Sequence, residues 1–149
     1  MTVQNGINNN YFCEASPSAD LTATGLIIQL VANENQAFGD VCQIAVADGK
    51  AKIADASVIA TSSAVCMCAD ATISAAATGN YLLYGVARQD AWTWASAGLL
   101  IYLSLTGTTT NTLTATKPSA TDEVVQIVGV SLSDDEMLFA PSLSQVEVV

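Results

Sequence analysis

Read for the spacing of apolar and polar positions, the chain is a succession of short runs rich in Val, Ile, Leu, Tyr and Thr. The runs are Leu26 to Val31, Val41 to Ala47, Lys50 to Ala54, Ala64 to Ala69, Tyr81 to Ala87, Leu99 to Leu105, Thr112 to Thr116, Val124 to Leu132 and Met137 to Ala140. Turn-forming residues separate them: Gly39-Asp40, Asp48-Gly49, Thr78-Gly79-Asn80, Ser96-Ala97-Gly98, Gly107 and Lys117-Pro118-Ser119. Short runs of β-branched and aromatic residues between turn signals read as strands. Their regular recurrence points to a sandwich or barrel. Asp48-Gly49 is the clearest hairpin signal, because Asp-Gly supplies the positive φ angles of a type I′ turn. The Ala-rich stretch from Ala69 to Ala77 has some helical character, which Thr72, Ile73 and Thr78 weaken. No helical pattern of twelve or more residues occurs, so the expected fold is all-β: one β-barrel or β-sandwich domain of short antiparallel strands over residues 21–149.

The two ends read differently from the middle. Residues 1–20 are rich in Asn and Ser and lack alternation, which reads as an extended N-terminal arm or a frayed terminus; the adjacent aromatics Tyr11 and Phe12 favour an arm docked on a partner. The last residues, Ser144 to Val149, alternate like a strand that either closes the domain's own sheet or adds to a neighbour's edge. Val146 and Val148 are the alternating apolar positions, followed by Val149.

Composition changes the picture in one respect. The chain is 51% hydrophobic and only 12% charged, against roughly 25% charged residues in ordinary soluble domains. The apolar residues are dispersed: stretches such as Gly25 to Ile28 and Gly98 to Leu103 fall far short of the ~20 residues that span a bilayer. Met1 to Asn10 is polar and carries no basic-plus-apolar leader. A protein without a membrane segment and with so few charges is expected to cover part of its surface with a partner.

Four basic residues against fourteen acidic ones give a net charge of −10. Lys50, Lys52, Arg88 and Lys117 cannot form the basic face that phosphate neutralisation requires, so nucleic acid is not an expected partner. There is no histidine, the commonest acid–base group and metal ligand.

The cysteines are Cys13, Cys42, Cys66 and Cys68. Cys66 and Cys68 lie two apart on an expected strand, hence on one face, with Cα atoms ~6.5–7 Å apart, at the limit for a disulfide. They read as small buried hydrophobes. A zinc site would space its paired ligands as C-x2–4-C, and only one C-x-C is present. No catalytic, cofactor-binding or metal-binding residues are assigned.

Other candidates are weighed by residue type. Trp92 and Trp94 share a face if their segment is a strand, and serve as a core anchor, a subunit contact or a stacking surface for sugar with Arg88, Gln89 and Asp90 beside them. Ser133-Asp134-Asp135-Glu136 lacks a calcium-loop spacing and reads as a solvated turn. Gly107 to Thr110 is a hairpin tip. No nucleophile elbow, phosphate loop, dinucleotide fingerprint or metalloprotease motif occurs.

The second half resembles the small decoration, or cement, proteins of bacteriophage heads. The resemblance rests on Gly98 to Ser104, the Gly/Thr turn Gly107 to Thr110, Thr114 to Pro118, Val125 to Ser131, and Phe139 to Ser142. It covers residues 39–149, less distinctively over Gly39 to Ser57, and says little about residues 1–38. Its motifs are structural and carry no active site across. It implies a homotrimer on the capsid exterior, contacting the major capsid protein and stabilising the shell by mass action, after assembly in the host bacterial cytoplasm. Tyr11, Phe12, Trp92, Trp94, Phe139, Val146 and Val148 are the expected interface residues. A tail-fibre, spike or baseplate domain that binds a host surface glycan is the alternative, and an enzyme such as a glycosidase or depolymerase a third class.

Overall fold

The computed structural model describes residues 16–149; the expected arm, with Tyr11 and Phe12, lies largely outside them. Thirteen strands occupy this span: β1 (Thr22–Val31), β2 (Gln36–Ala37), β3 (Val41–Ile44), β4 (Ala51–Ile53), β5 (Cys66–Cys68), β6 (Thr72–Ile73), β7 (Thr78–Arg88), β8 (Leu100–Thr108), β9 (Asn111–Thr114), β10 (Val124–Val125), β11 (Ile127–Ser131), β12 (Glu136–Phe139) and β13 (Val146–Glu147). One 3-10 turn, Ile59–Thr61, is the helical content of the described residues. The fold is all-β, a single domain built on a nearly closed antiparallel barrel.

Strand β7 organises the molecule. One edge pairs with β1 along the whole length of both strands. The other pairs with β5 at Tyr81–Leu82 and with β12 at Gly85–Arg88. From β5 the sheet continues to β3 and β4; from β12 it continues to β11, β8 and β9. The two ends meet where β9 approaches β3, and side chains join them there. Thr112 Oγ1 accepts a hydrogen bond from Val41 N at 2.9 Å and donates to Gly39 O at 3.3 Å. Buried Asp40 accepts from Thr110 N at 2.6 Å through one oxygen and from Ala37 N at 2.8 Å through the other. The hairpin tip at Thr109-Thr110 thus closes the barrel wall.

Two apolar clusters lie on either side of β3, β5 and the first half of β7. Val41, Met67 and Leu82 belong to the barrel core, with Phe38, Ile101, Leu103, Val128, Met137 and Phe139. Their chain neighbours Cys42, Cys66, Cys68 and Tyr81 fall in a second core, with Ala32, Ala51, Ile53 and Ile73. Successive side chains of a strand point to opposite faces, so a strand between two cores is apolar at every position, as the unbroken run Ala64 to Ala69 is. The outer cover of the second core includes Ile28 and Leu30 of β1. Beside it lies the β2–β6 ribbon, in which Gln36 faces Ile73. Within this core the Tyr81 hydroxyl donates to Gln36 Oε1 at 2.6 Å, and Gln36 Nε2 donates to Ala51 O at 2.8 Å.

Gly25 and Gly85 face each other across β1 and β7 with φ of +143° and +153°, and a Cβ on either would lie 2.1–2.2 Å from a main-chain oxygen of the other strand. Only glycine fits this close crossing. Immediately beyond it the register shifts between Leu26 and Ile27, leaving Leu83 as the extra residue on β7.

Three local readings are decided by the structure. The Asp48-Gly49 turn is not type I′: Gly49 has φ +71°, but Asp48 is not among the positive-φ residues. The strands stop at Ile44 and Ala51, and the connection is longer, with Ala45 N donating to Lys50 O and Gly49 N to Ala45 O, both at 2.8 Å. Residues 69–77 hold β6 rather than a helical turn, because Ile73 inserts into the second core. Trp92 and Trp94 do not sit on a strand; residues 89–99 form a loop between β7 and β8.

Candidate functional site

That loop is held by main-chain bonds to the end of β11 and the turn that follows it. Gln89 N donates to Asp135 O, Trp94 N to Asp134 O and Gly98 N to Ser131 O, at 2.8–3.0 Å. Arg88, at the end of β7, ties the same parts electrostatically: its guanidinium lies 2.7 Å from Asp135, 3.0 Å from Asp90 and 4.0 Å from Glu136. Two of the three carboxylates of Asp134-Asp135-Glu136 are therefore spent on one arginine. The neighbouring carboxylates hold the Arg88 guanidinium above its usual range, so it stays charged.

So pinned, the loop folds both tryptophans against the barrel core. Their ring centroids are 5.7 Å apart at 41°, and Trp92 lies 6.3 Å from Phe38. Tilted pairs at these separations are attractive beyond their buried area. The hollow between the rings, Gln89 and the β8–β9 hairpin is about 50 Å³, far below the roughly 300–1,000 Å³ of small-molecule sites. The Trp94 Nε1 atom is buried there without a hydrogen-bond partner. These rings plug one end of the barrel; they do not make an open sugar-stacking surface. A second hollow of about 270 Å³ lies where β8 and β9 separate, among Leu105, Thr106, Thr116, Lys117 and Glu123. The Glu123 carboxylate is already engaged by Ser119 N and Ala120 N at 2.7 and 2.8 Å.

The thiols of Cys42, Cys66 and Cys68 are free and buried in the second core. Cys42 and Cys66 are paired across β3 and β5. Burial pushes the Cys68 thiol up to about 12; Cys42 is raised as well, by its contact with Cys66 and by burial. Such thiols are poor nucleophiles and poor ligands. Among the described residues, no three His, Cys, Asp or Glu side chains are grouped to hold a metal ion, and no helix is long and apolar enough to cross a membrane.

The surface carries more apolar area than chemistry. Leu26, Ile27, Val31 and Tyr84 are exposed along β1 and β7. Val58, Ile59, Leu143 and Val146 form another exposed group, where Gln145 bonds to Ser62 and Ser63 at 2.9 and 3.0 Å. The expected interface residues are accordingly not one surface. Trp92 and Trp94 are half-buried in the plug, Val146 is 63% exposed, and Val148 is partly covered where its N–H donates to Glu123 O. Phe139 is a correction: it is fully buried in the barrel core, because it falls on the inward-facing side of β12 with Met137. Sequence reasoning did not single out the free edge of β1. Its signal was the uncharged run Leu26 to Val31.

Compared with known proteins, the chain matches no family model, no curated protein and no solved structure.

Proposed function

We propose that this protein is a non-enzymatic structural part of a bacteriophage virion, a cement protein that binds the outside of the capsid as a homotrimer and stabilises the shell. The observation that carries the reading is the distribution of apolar side chains. A barrel with two filled cores still leaves Leu26, Ile27, Tyr84, Leu143 and Val146 in solvent, on a chain that is 12% charged. Exposed apolar patches on a folded domain mark association surfaces. The likeness of residues 39–149 to head-decoration proteins supplies the setting, and the net charge of −10 suits an outer surface kept away from packaged DNA. Binding the assembled shell but not its separate subunits stabilises the shell by mass action.

Two experiments test this. Imaging of purified virions should place the protein on the exterior of the head. The full chain should co-sediment with expanded capsids and not with unassembled capsid protein. Absence from the head, or equal binding to both forms, overturns the proposal. The glycan-binding alternative draws little support from tryptophans that plug a barrel, and a Trp92→Ala chain that lost binding to a defined glycan would restore it.

A further inference from the structure

Among the strands of nine or more residues, β1 departs furthest from ordinary burial. The run Leu26-Ile27-Ile28-Gln29-Leu30-Val31 is as apolar as the core strands, yet no residue from Thr22 to Val31 is fully buried. One edge is bonded to β7 throughout; among the described residues no strand pairs with the other. Ten residues at about 3.3 Å each give about 33 Å of edge, along which alternate N–H and C=O groups point away from β7. Proteins protect edges of this kind with a charge, a proline or a covering loop. Thr22–Val31 contains neither a charged residue nor a proline. Its one irregularity adds to the exposure: at the register shift two consecutive apolar side chains, Leu26 and Ile27, both face solvent, and Leu26 pairs with Tyr84, itself 56% exposed.

We infer that a second copy of this chain pairs along the free edge of β1. Charge argues for a copy over a foreign protein. With fourteen acidic and four basic residues, two copies repel through most of their surfaces, and β1 is a neutral strip on which they meet without opposed carboxylates. A foreign partner of an acidic protein is ordinarily selected by complementary charge, and this strip offers none to read. Size sets the strength. A strip of about 33 Å by about 10 Å on each copy buries ~650 Å² in all, below the 1,200–2,000 Å² of stable interfaces. Pairing of free chains is therefore weak and concentration-dependent, and it gains when several such contacts close together. Pairing of β1 with β1 is two-fold, so it goes beyond the proposed trimer as a separate contact, and it does not require a capsid.

The test is sedimentation of the full chain at about 1 and about 100 μM, a range that brackets a weak dimer, beside the double variant Leu26→Glu/Val31→Glu. Both side chains are already exposed, so the variant should keep a cooperative melt; Gln29→Glu, at another exposed position, serves if it does not. The wild type should form oligomers at the higher concentration, in which the β1 amides that point away from β7 become protected from hydrogen exchange, and the variant should remain monomeric. A wild-type oligomer whose mass the variants leave unchanged overturns the assignment of the surface while the proposed function stands. A wild type monomeric throughout overturns the inference; protection in that monomer of the β1 amides that point away from β7 would mean that its own chain covers the edge. The capsid reading is decided separately, by co-sedimentation with shells.

Discussion

Truncating Gln126 to Ala should be among the costliest changes at a polar residue of this barrel. Gln126 is 1% exposed at the one-residue break between β10 and β11. Its Oε1 accepts from Ala64 N at 3.0 Å, and its Nε2 donates to Ala64 O at 2.8 Å and to Ser142 O at 2.7 Å. One side chain thus joins β11 to the segment before β5 and to the segment after β12. After truncation, Ala64 N keeps its 2.7 Å contact with Ser62 O, and partly exposed Ser142 can turn to solvent. Ala64 O is left without a partner. One stranded buried carbonyl costs about 1–3 kcal/mol, and the lost side-chain volume adds about 1 kcal/mol. The expected loss is therefore about 2–4 kcal/mol of a total in the range 5–15. At roughly 2–4 °C per kcal/mol for a chain of this size, the melting temperature should fall by about 5–15 °C. Urea denaturation followed by tryptophan fluorescence reads both variants, because Trp92 and Trp94 report the barrel end. Gln126→Glu sharpens the test. Its carboxylate faces two carbonyl oxygens, so its folded pKa must rise, and any stability it retains is present at low pH and lost as pH increases. A Gln126→Ala loss below about 1 kcal/mol, or a Glu variant more stable at pH 7 than at pH 4, would refute the reasoning.

Further outcomes follow from single positions. Gly25→Ala should cost about 3 kcal/mol or more, since it combines a glycine-only φ with a Cβ 2.2 Å from Tyr84 O; Gly49→Ala, at φ +71° with nothing within 4 Å, should cost about 1. Equal losses in urea melts would contradict this. In a Cys13→Ser background, the native protein should be inert to Ellman's reagent, and three thiols should react only as it unfolds. Burial raises the Asp40 carboxyl above the usual aspartate range, outweighing the N–H groups of Ala37 and Thr110 that pull it down. Its folded-state pKa exceeds the unfolded value of about 3.9, so this contribution to stability is full below that pH and fades as pH rises through the folded value. The stability of wild type minus that of Asp40→Asn should be greatest near pH 3.5 and fall toward pH 7; a signed difference that rises with pH in urea titrations would speak against it.

The strands that sequence reveals are those whose pattern is local. Tyr81 to Ala87 and Leu99 to Leu105 show their burial as apolar runs bounded by turn residues. Ala64 to Ala69 shows it as an unbroken apolar run, because both faces are covered. The two-residue strands β2 and β6 were invisible, since two residues have no period and their pairing of Gln36 with Ile73 spans a long stretch of chain. The Asp-Gly pair marked a turn but not its type, because the paired strands end earlier than their apolar runs do. Gln126 and Asp40 read as ordinary polar residues; what makes them structural is burial against main-chain groups distant in sequence. The tryptophans were seen, but whether they share a strand face stayed open, because a two-residue spacing does not distinguish a strand face from a loop folded inward. The β1 run was legible as a strand, whereas its missing second partner is a property of the assembled sheet.

Where β9 meets β3, two side chains, Asp40 and Thr112, do what a ladder of amides does elsewhere in the wall. A cylinder fastened this way is a scroll with a clasp: it can part along one line while each strand keeps the neighbours it already has. Under heat or mechanical load the clasp should release first, and the tip at Thr109-Thr110 should lift while β7 and its partners stay closed. The molecule then has a designated place to yield, remote from the free edge of β1 in the pairing order of the sheet.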